Sequence, residues 1–191
     1  MKKLMEQEKY NIISDENKAF LIALDEEMIK MGYEIYQAED AWNWAKNWFN
    51  AKYMINYTVI GKKPRKYAAH VFIYENGLML RLFAIKYGVN SLNTKDKARS
   101  VIAPHREYIE NAPAHIKELF TIKNTDCDHT HENVNGFCWR LDTYTIDGNV
   151  YEKCTGKGFD FWNPAIEKLP DYINMLSEIN SKKSTHKIEK I

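Results

Sequence analysis

The sequence predicts an α+β fold in which helices pack on an antiparallel sheet and a smaller hairpin unit follows towards the C-terminus. Three observations point there. Segments with a 3.6-residue apolar period are interspersed with segments of period two. The run "YAAHVFIYENGLMLRLFAIK" is strand-like on both sides of an Asn-Gly pair. All three cysteines lie between Cys127 and Cys154, together with two of the six histidines, His129 and His131.

At 191 residues the chain accommodates one full-sized core, or one core with a small appended module. Its 45% hydrophobic and 28% charged residues are ordinary for a globular protein. With 27 Lys+Arg against 26 Asp+Glu the formal charge is +1, so no global field draws in nucleic acid or an anionic membrane. The opening "MKKLMEQEKYNIISDENK" lacks the apolar core of a secretory signal, and no run approaches the ~18 apolar residues of a membrane span. A cytoplasmic protein without membrane association is expected. An odd number of cysteines cannot form a complete disulfide framework, which in a reducing compartment favours metal binding or free thiols.

Ser14 followed by Asp15 and Glu16 reads as a helix start, and Phe20, Leu21, Leu24, Met28 and Met31 recur at helical spacing until Gly32. Residues 38–50 place Ala41, Trp42, Ala45, Trp48 and Phe49 on one helical face, so a short amphipathic helix is expected there. "KYMINYTVIG" changes to period two and reads as a strand ending at Gly61, followed by the basic turn "GKKPRK". Residues 87–104 read as a loop or irregular helix. "ENAPAHIKELF" predicts a helix capped by Asn111 with Pro113 in its first turn and His115 on its surface. Pro170 opens a last helix, and residues 182–191 form a polar, basic tail.

Asn76-Gly77 is the preferred loop of a type I′ hairpin. A two-residue loop at that pair sets Tyr74 against Met79, Phe72 against Arg81 and His70 against Phe83. One face is then purely aliphatic: Ala69, Val71, Ile73, Leu78, Leu80 and Leu82. The other carries His70, Phe72, Tyr74, Met79, Arg81 and Phe83, a mixture of aromatic surface with an Arg and a His. Of these, His70, Phe72, Tyr74, Arg81 and Phe83 are the candidate ligand-binding residues, with a second packed layer as the alternative reading of the same face.

Zinc favours sulfur and imidazole in a tetrahedron. The segment from Cys127 supplies five candidates for four positions: Cys127, His129, His131, Cys138 and Cys154. Between the last two, "WRLDTYTIDGNVYEK" alternates around Asp147-Gly148, which predicts a hairpin pairing Ile146 with Asn149 and Leu141 with Cys154. Both thiols then sit near the open end of a zinc-ribbon-like hairpin, with Cys127 closing over them; His129 is the most dispensable of the five. Glu132 and Asp128 are close enough to serve a catalytic metal as base. Neither the H-E-x-x-H helix nor the deaminase H-x-E with P-C-x-x-C is present, so a structural zinc is the expected cofactor. Buried thiols and redox chemistry are the competing readings.

"NGLMLRLF", "HREYIENAPAHIKELF" and "TYTIDGNVYEKCTGKGFDFWNPAIEKLPDYI" together resemble a family of small proteins of Clostridium-like bacteria with no assigned activity, over about residues 14 to 180. That resemblance implies a C-x-H-C cluster at residues 127–130, from which Thr130 departs, followed by cysteines at Cys138 and Cys154. The expected organisation is a core over 1–125, a Cys/His ribbon over 126–160, a C-terminal helix over 161–181 packing on the core, and the tail. The expected function is a bacterial cytosolic binding or regulatory module with a structural zinc, its partner an unknown small molecule or protein. A metal-dependent hydrolase or other small-molecule enzyme is one alternative. A nucleic-acid-binding zinc-ribbon protein is the other, although the charge balance makes nucleic acid an unfavoured partner.

Overall fold

The computed structural model describes residues 8–40, 50–62, 66–83, 102–122, 141–154 and 159–181. The chain divides into two compact units, one made of residues 1–85 and 158–173, the other of residues 86–157 and 174–191. The α+β expectation holds, with helices and an antiparallel sheet. No helix among the described residues is long and apolar enough to cross a membrane.

The first unit begins with a short 3-10 turn, Glu8–Ile12, and helix α1, Asp15–Lys30. Ser14 stays extended and its hydroxyl accepts the Asn17 N–H at 3.2 Å, with Asp15 and Glu16 favouring the positive end of the helix dipole. Phe20, Leu21, Leu24 and Met28 are its buried stripe. The chain turns out of the helix at Gly32, where φ is +81° and a side chain would be strained.

Strands β1 (Tyr33–Asp40), β2 (Tyr53–Val59), β3 (Tyr67–Tyr74), β4 (Gly77–Leu82) and β7 (Phe159–Trp162) form an antiparallel sheet in the order β1-β2-β3-β4-β7. The helix expected over 38–50 does not include its first residues: Ala38, Glu39 and Asp40 pair with Ile55, Met54 and Tyr53 as the end of β1. Residues 41–49 of that expectation, and Lys63, Pro64 and Arg65 of the basic turn, lie outside the described residues.

The β3–β4 hairpin also differs from its expected register. Tyr74 pairs with Gly77, Phe72 with Met79 and His70 with Arg81, so the loop is Glu75-Asn76. Among the described residues positive φ is confined to Gly32, Asn50, Gly61, Asp147, Gly148 and Asn163, so the type I′ turn at Asn76-Gly77 is not formed. Gly77 serves a different purpose. A Cβ there would stand 3.0 Å from Oδ1 of Asn163, whose side chain accepts the Leu78 N–H at 3.0 Å while its own N–H donates to the Leu78 carbonyl at 2.8 Å. The slip is of two residues, so it changes every cross-strand partner and leaves both faces with their expected members.

The aliphatic face is continued by Ile55 and Tyr57 from β2 and by Phe159 and Phe161 from β7. It is the side met by α1: the Tyr57 hydroxyl donates to Asp25 at 3.1 Å, and Phe20 and Phe161 meet Tyr172 at ring distances of 6.3 and 4.3 Å.

In the second unit a 3-10 turn, Ala103–His105, leads into α2, Arg106–Asn111, and then α3, Ala114–Thr121. Asn111 does not cap α3 as expected; it ends α2, where its amide donates to the Glu107 carbonyl at 2.8 Å. The proline explains the break, because Ala112 before Pro113 is driven to extended backbone, ψ 156°, and Pro113 itself becomes the N-cap. His115 is half-buried. Strands β5 (Leu141–Ile146) and β6 (Asn149–Cys154) form the expected ribbon, pairing Ile146 with Asn149 and Leu141 with Cys154. Asp147 and Gly148 take φ of 47° and 77°, as a type I′ loop requires. The ribbon is anchored on the two short helices. Tyr144 donates to the Phe120 carbonyl at 2.6 Å, Lys117 pairs with Asp147 at 2.5 Å, and the Asp147 N–H donates to Glu110 at 2.9 Å. Helices that precede residue 125 are therefore grouped with the ribbon. The last helix, α4, is Leu169–Ser181, with Pro170 in its first turn.

Candidate ligand-binding site

The mixed face of the sheet is organised in rows. Asn56 of β2 pairs with His70 of β3, His70 with Arg81 of β4, and Arg81 with Asp160 of β7, giving a polar line across four strands. The next row is Met54, Phe72, Met79 and Trp162. Met54, Phe72 and Met79 pack with Ala51 into a buried cluster, against which Tyr74 leans.

The polar row is buried and internally matched only in part. Arg81 grips Asp160 through Nε–Oδ1 and Nη2–Oδ2 contacts of 2.5 Å each, and its guanidinium lies 5.8 Å from the Phe72 ring centre. Its side chain is 12% exposed and that of Asp160 32%. His70 is held edge-on by Phe83, Tyr67 and Phe72, at ring distances of 4.7, 5.1 and 5.8 Å. Burial, reinforced by the Arg81 charge, pushes its pKa down to about 3, so the ring is neutral near pH 7. Asn56 is fully buried, and neither its amide oxygen nor its amide nitrogen has a hydrogen-bond partner. An arrangement of this kind costs on the order of 1–3 kcal/mol. The Tyr74 hydroxyl is likewise buried without a partner, while Tyr74 as a whole is half-buried.

At the β3–β4 turn end of the sheet lies an open hollow of about 620 Å³, lined by Asn50, Ala51, Lys52, Tyr53, Tyr74, Glu75 and Asn76. Lys52 and Glu75 form an ion pair on its wall, and this contact holds the Glu75 carboxyl below the usual range. Asn50 takes the left-handed conformation, φ 52°, which asparagine tolerates better than most residues. Tyr53 is braced by an edge contact with Tyr10 at 6.0 Å. Tyr74 stacks on Trp162 with ring centres 5.2 Å apart and planes tilted by 33°. Trp162 is 61% exposed, although it belongs to the regular sheet.

Of the residues expected to bind a ligand, His70, Phe72, Tyr74 and Arg81 share this face, and Phe83 just beyond β4 meets it through the His70 ring. His70 and Phe72 are buried, and only Tyr74 reaches the hollow. Asn56, Asp160 and Trp162 were not legible as partners, because each is a single residue in a segment whose pairing the sequence leaves open. Of the expected metal ligands, Cys127, His129, His131 and Cys138 lie outside the described residues, and Cys154 ends β6 opposite Leu141. Among the described residues, no group of three or more His, Cys, Asp or Glu is placed to hold a metal. No protein-family model, curated protein or solved structure matches the chain.

Proposed function

We propose that the chain is a small-molecule-binding module whose ligand enters the hollow at the β3–β4 turn, where Tyr74 brings the mixed face of the sheet to its wall. Tyr74 carries this reading. It lines the hollow, and its ring is fixed by the Ala51, Met54, Phe72 and Met79 cluster and by Trp162. A hollow of about 620 Å³ lies within the ~300–1,000 Å³ usual for ligand sites, and side chains held by packing are what such sites need. Thermal unfolding in a panel of metabolites is the test. A ligand of the module raises the midpoint in proportion to ln[L], and substitution of Tyr74 by Ala removes the response. A panel without any stabilising compound, or a response that survives Tyr74→Ala, would sink the proposal.

We further infer a structural zinc held by Cys127, Cys138, Cys154 and one histidine, His131 in preference to His129. The support is the ligand chemistry of the segment and the pairing of Cys154 with Leu141, which puts this cysteine at the open end of the ribbon. Elemental analysis of the purified chain should give about one equivalent of zinc. Less than about half an equivalent, with freely titrating thiols, refutes it.

A further inference from the structure

We propose that the hollow takes an uncharged, hydroxyl-rich ligand, a sugar or short oligosaccharide; this rests on the binding-module reading and names its ligand class. Four features select that chemistry. Of the seven lining residues only Ala51 lacks a polar side-chain group, so an apolar ligand would bury little apolar surface there and leave donors and acceptors unmatched. The two charged side chains, Lys52 and Glu75, are paired with each other. An ionic or zwitterionic ligand must separate them or bring in charge that nothing balances. The amides of Asn50 and Asn76 offer a donor and an acceptor side by side, the pattern that neighbouring hydroxyls satisfy.

The fourth feature is aromatic. Tyr74 and Trp162 form one stacked pair, and Trp162 leaves most of its surface in water. A pyranose ring presents a face of C–H groups that packs on an aromatic plane through weak C–H contacts, with its hydroxyls directed outward. The openness of the hollow agrees with this. A sugar can leave part of its hydroxyl rim in solvent at little cost, whereas a planar heterocycle gains most when both of its faces are enclosed.

The test uses the full chain and saturation-transfer NMR with glucose, N-acetylglucosamine, maltotriose and cellotriose, against glutamate, adenosine and indole, each to about 10 mM. At least one sugar should bind. Trp162→Ala, which removes a support of the Tyr74 ring, should weaken it about five- to tenfold, and Asn76→Ala severalfold with an unchanged thermal midpoint because that side chain is exposed. Binding of a comparator in place of the sugars, lost in Trp162→Ala, overturns the ligand class and leaves the binding module standing. A sugar whose affinity ignores both Trp162→Ala and Asn76→Ala places its site elsewhere and overturns the proposal. Silence from all seven compounds and from the wider metabolite panel removes both readings.

Discussion

Gly77→Ala tests whether a glycine opens β4 because its missing side chain makes room for Asn163. In the structure the three atoms nearest to an added Cβ all belong to Asn163, the closest being Oδ1 at 3.0 Å. The amide must retreat, and in doing so it strains or loses the bond it accepts from the Leu78 N–H. A lost partly buried hydrogen bond costs about 1 kcal/mol, and a side chain forced off its rotamer about 0.5–1.5 kcal/mol more. The expected loss is therefore about 1.5–2.5 kcal/mol. Asn163→Gly removes the obstructing amide and suits the φ of 40° at that position. In that background Gly77→Ala should cost no more than a few tenths of a kcal/mol, a coupling of roughly 1.5–2 kcal/mol. Urea unfolding of the wild type, the two single variants and the double variant, followed by tryptophan fluorescence, measures it. Equal costs in the two backgrounds would refute the reasoning, because the loss would then not pass through the Asn163 amide.

The other expectations concern the polar row and the ribbon. Asp160→Asn leaves the guanidinium of Arg81, 12% exposed, without its counter-charge; because Asp160 is about a third exposed, the loss should be about 1–3 kcal/mol in the same unfolding assay, and a loss below about 0.5 would contradict the pairing. His70 has a folded pKa of about 3 against about 6.5 unfolded, so below pH 6.5 the unfolded chain takes up a proton that the native chain refuses. Stability should therefore fall by about 1.4 kcal/mol per pH unit between pH 6 and 4, and His70→Gln should flatten that slope; parallel slopes would show that the ring titrates normally. Tyr144→Phe deletes the 2.6 Å bond to the Phe120 carbonyl and should cost about 1–1.5 kcal/mol, read as faster amide exchange in the ribbon and α3. Unchanged exchange there would mean that the bond does not hold the ribbon.

What was legible in the sequence followed from local rules. The Ser14 cap, the α1 stripe, the β2 strand and the Asp147-Gly148 turn each depend on a few neighbouring residues, and each formed as read. What was missed depended on distant partners. β1 is polar, and a register shift between Ile35 and Gln37 breaks its alternation at Tyr36. β7 is four residues long, too short for a period to declare itself. The β3–β4 register failed because the Asn-Gly pair looked like a turn, whereas its glycine makes room for Asn163 at the end of β7. Face membership survived that error because the slip was even. The hollow was invisible for a related reason: Asn50, Lys52 and Glu75 reach one place only once β2 and β3 are paired.

The burial of both faces gives the polar row a role in folding as well as in any site. Six consecutive residues of β3, Ala68 to Ile73, are buried, so apolar patterning alone hardly distinguishes one register from its neighbours. A one-residue slip of β3 against β4 would set His70 opposite Leu80 or Leu82 and Arg81 opposite Ala69 or Val71. A slip of β7 would replace Asp160 by Phe159 or Phe161 as the neighbour of Arg81. Each slip strands a buried charge or imidazole on an aliphatic face at a cost of several kcal/mol, far more than the apolar residues lose. The row thus fixes the registers of β3, β4 and β7 together. Those registers are what bring Tyr74, opposite Gly77, to stack on Trp162, opposite Met79, beside the hollow. The buried polar line and the exposed aromatic pair are in this sense one device, the first making the second reproducible.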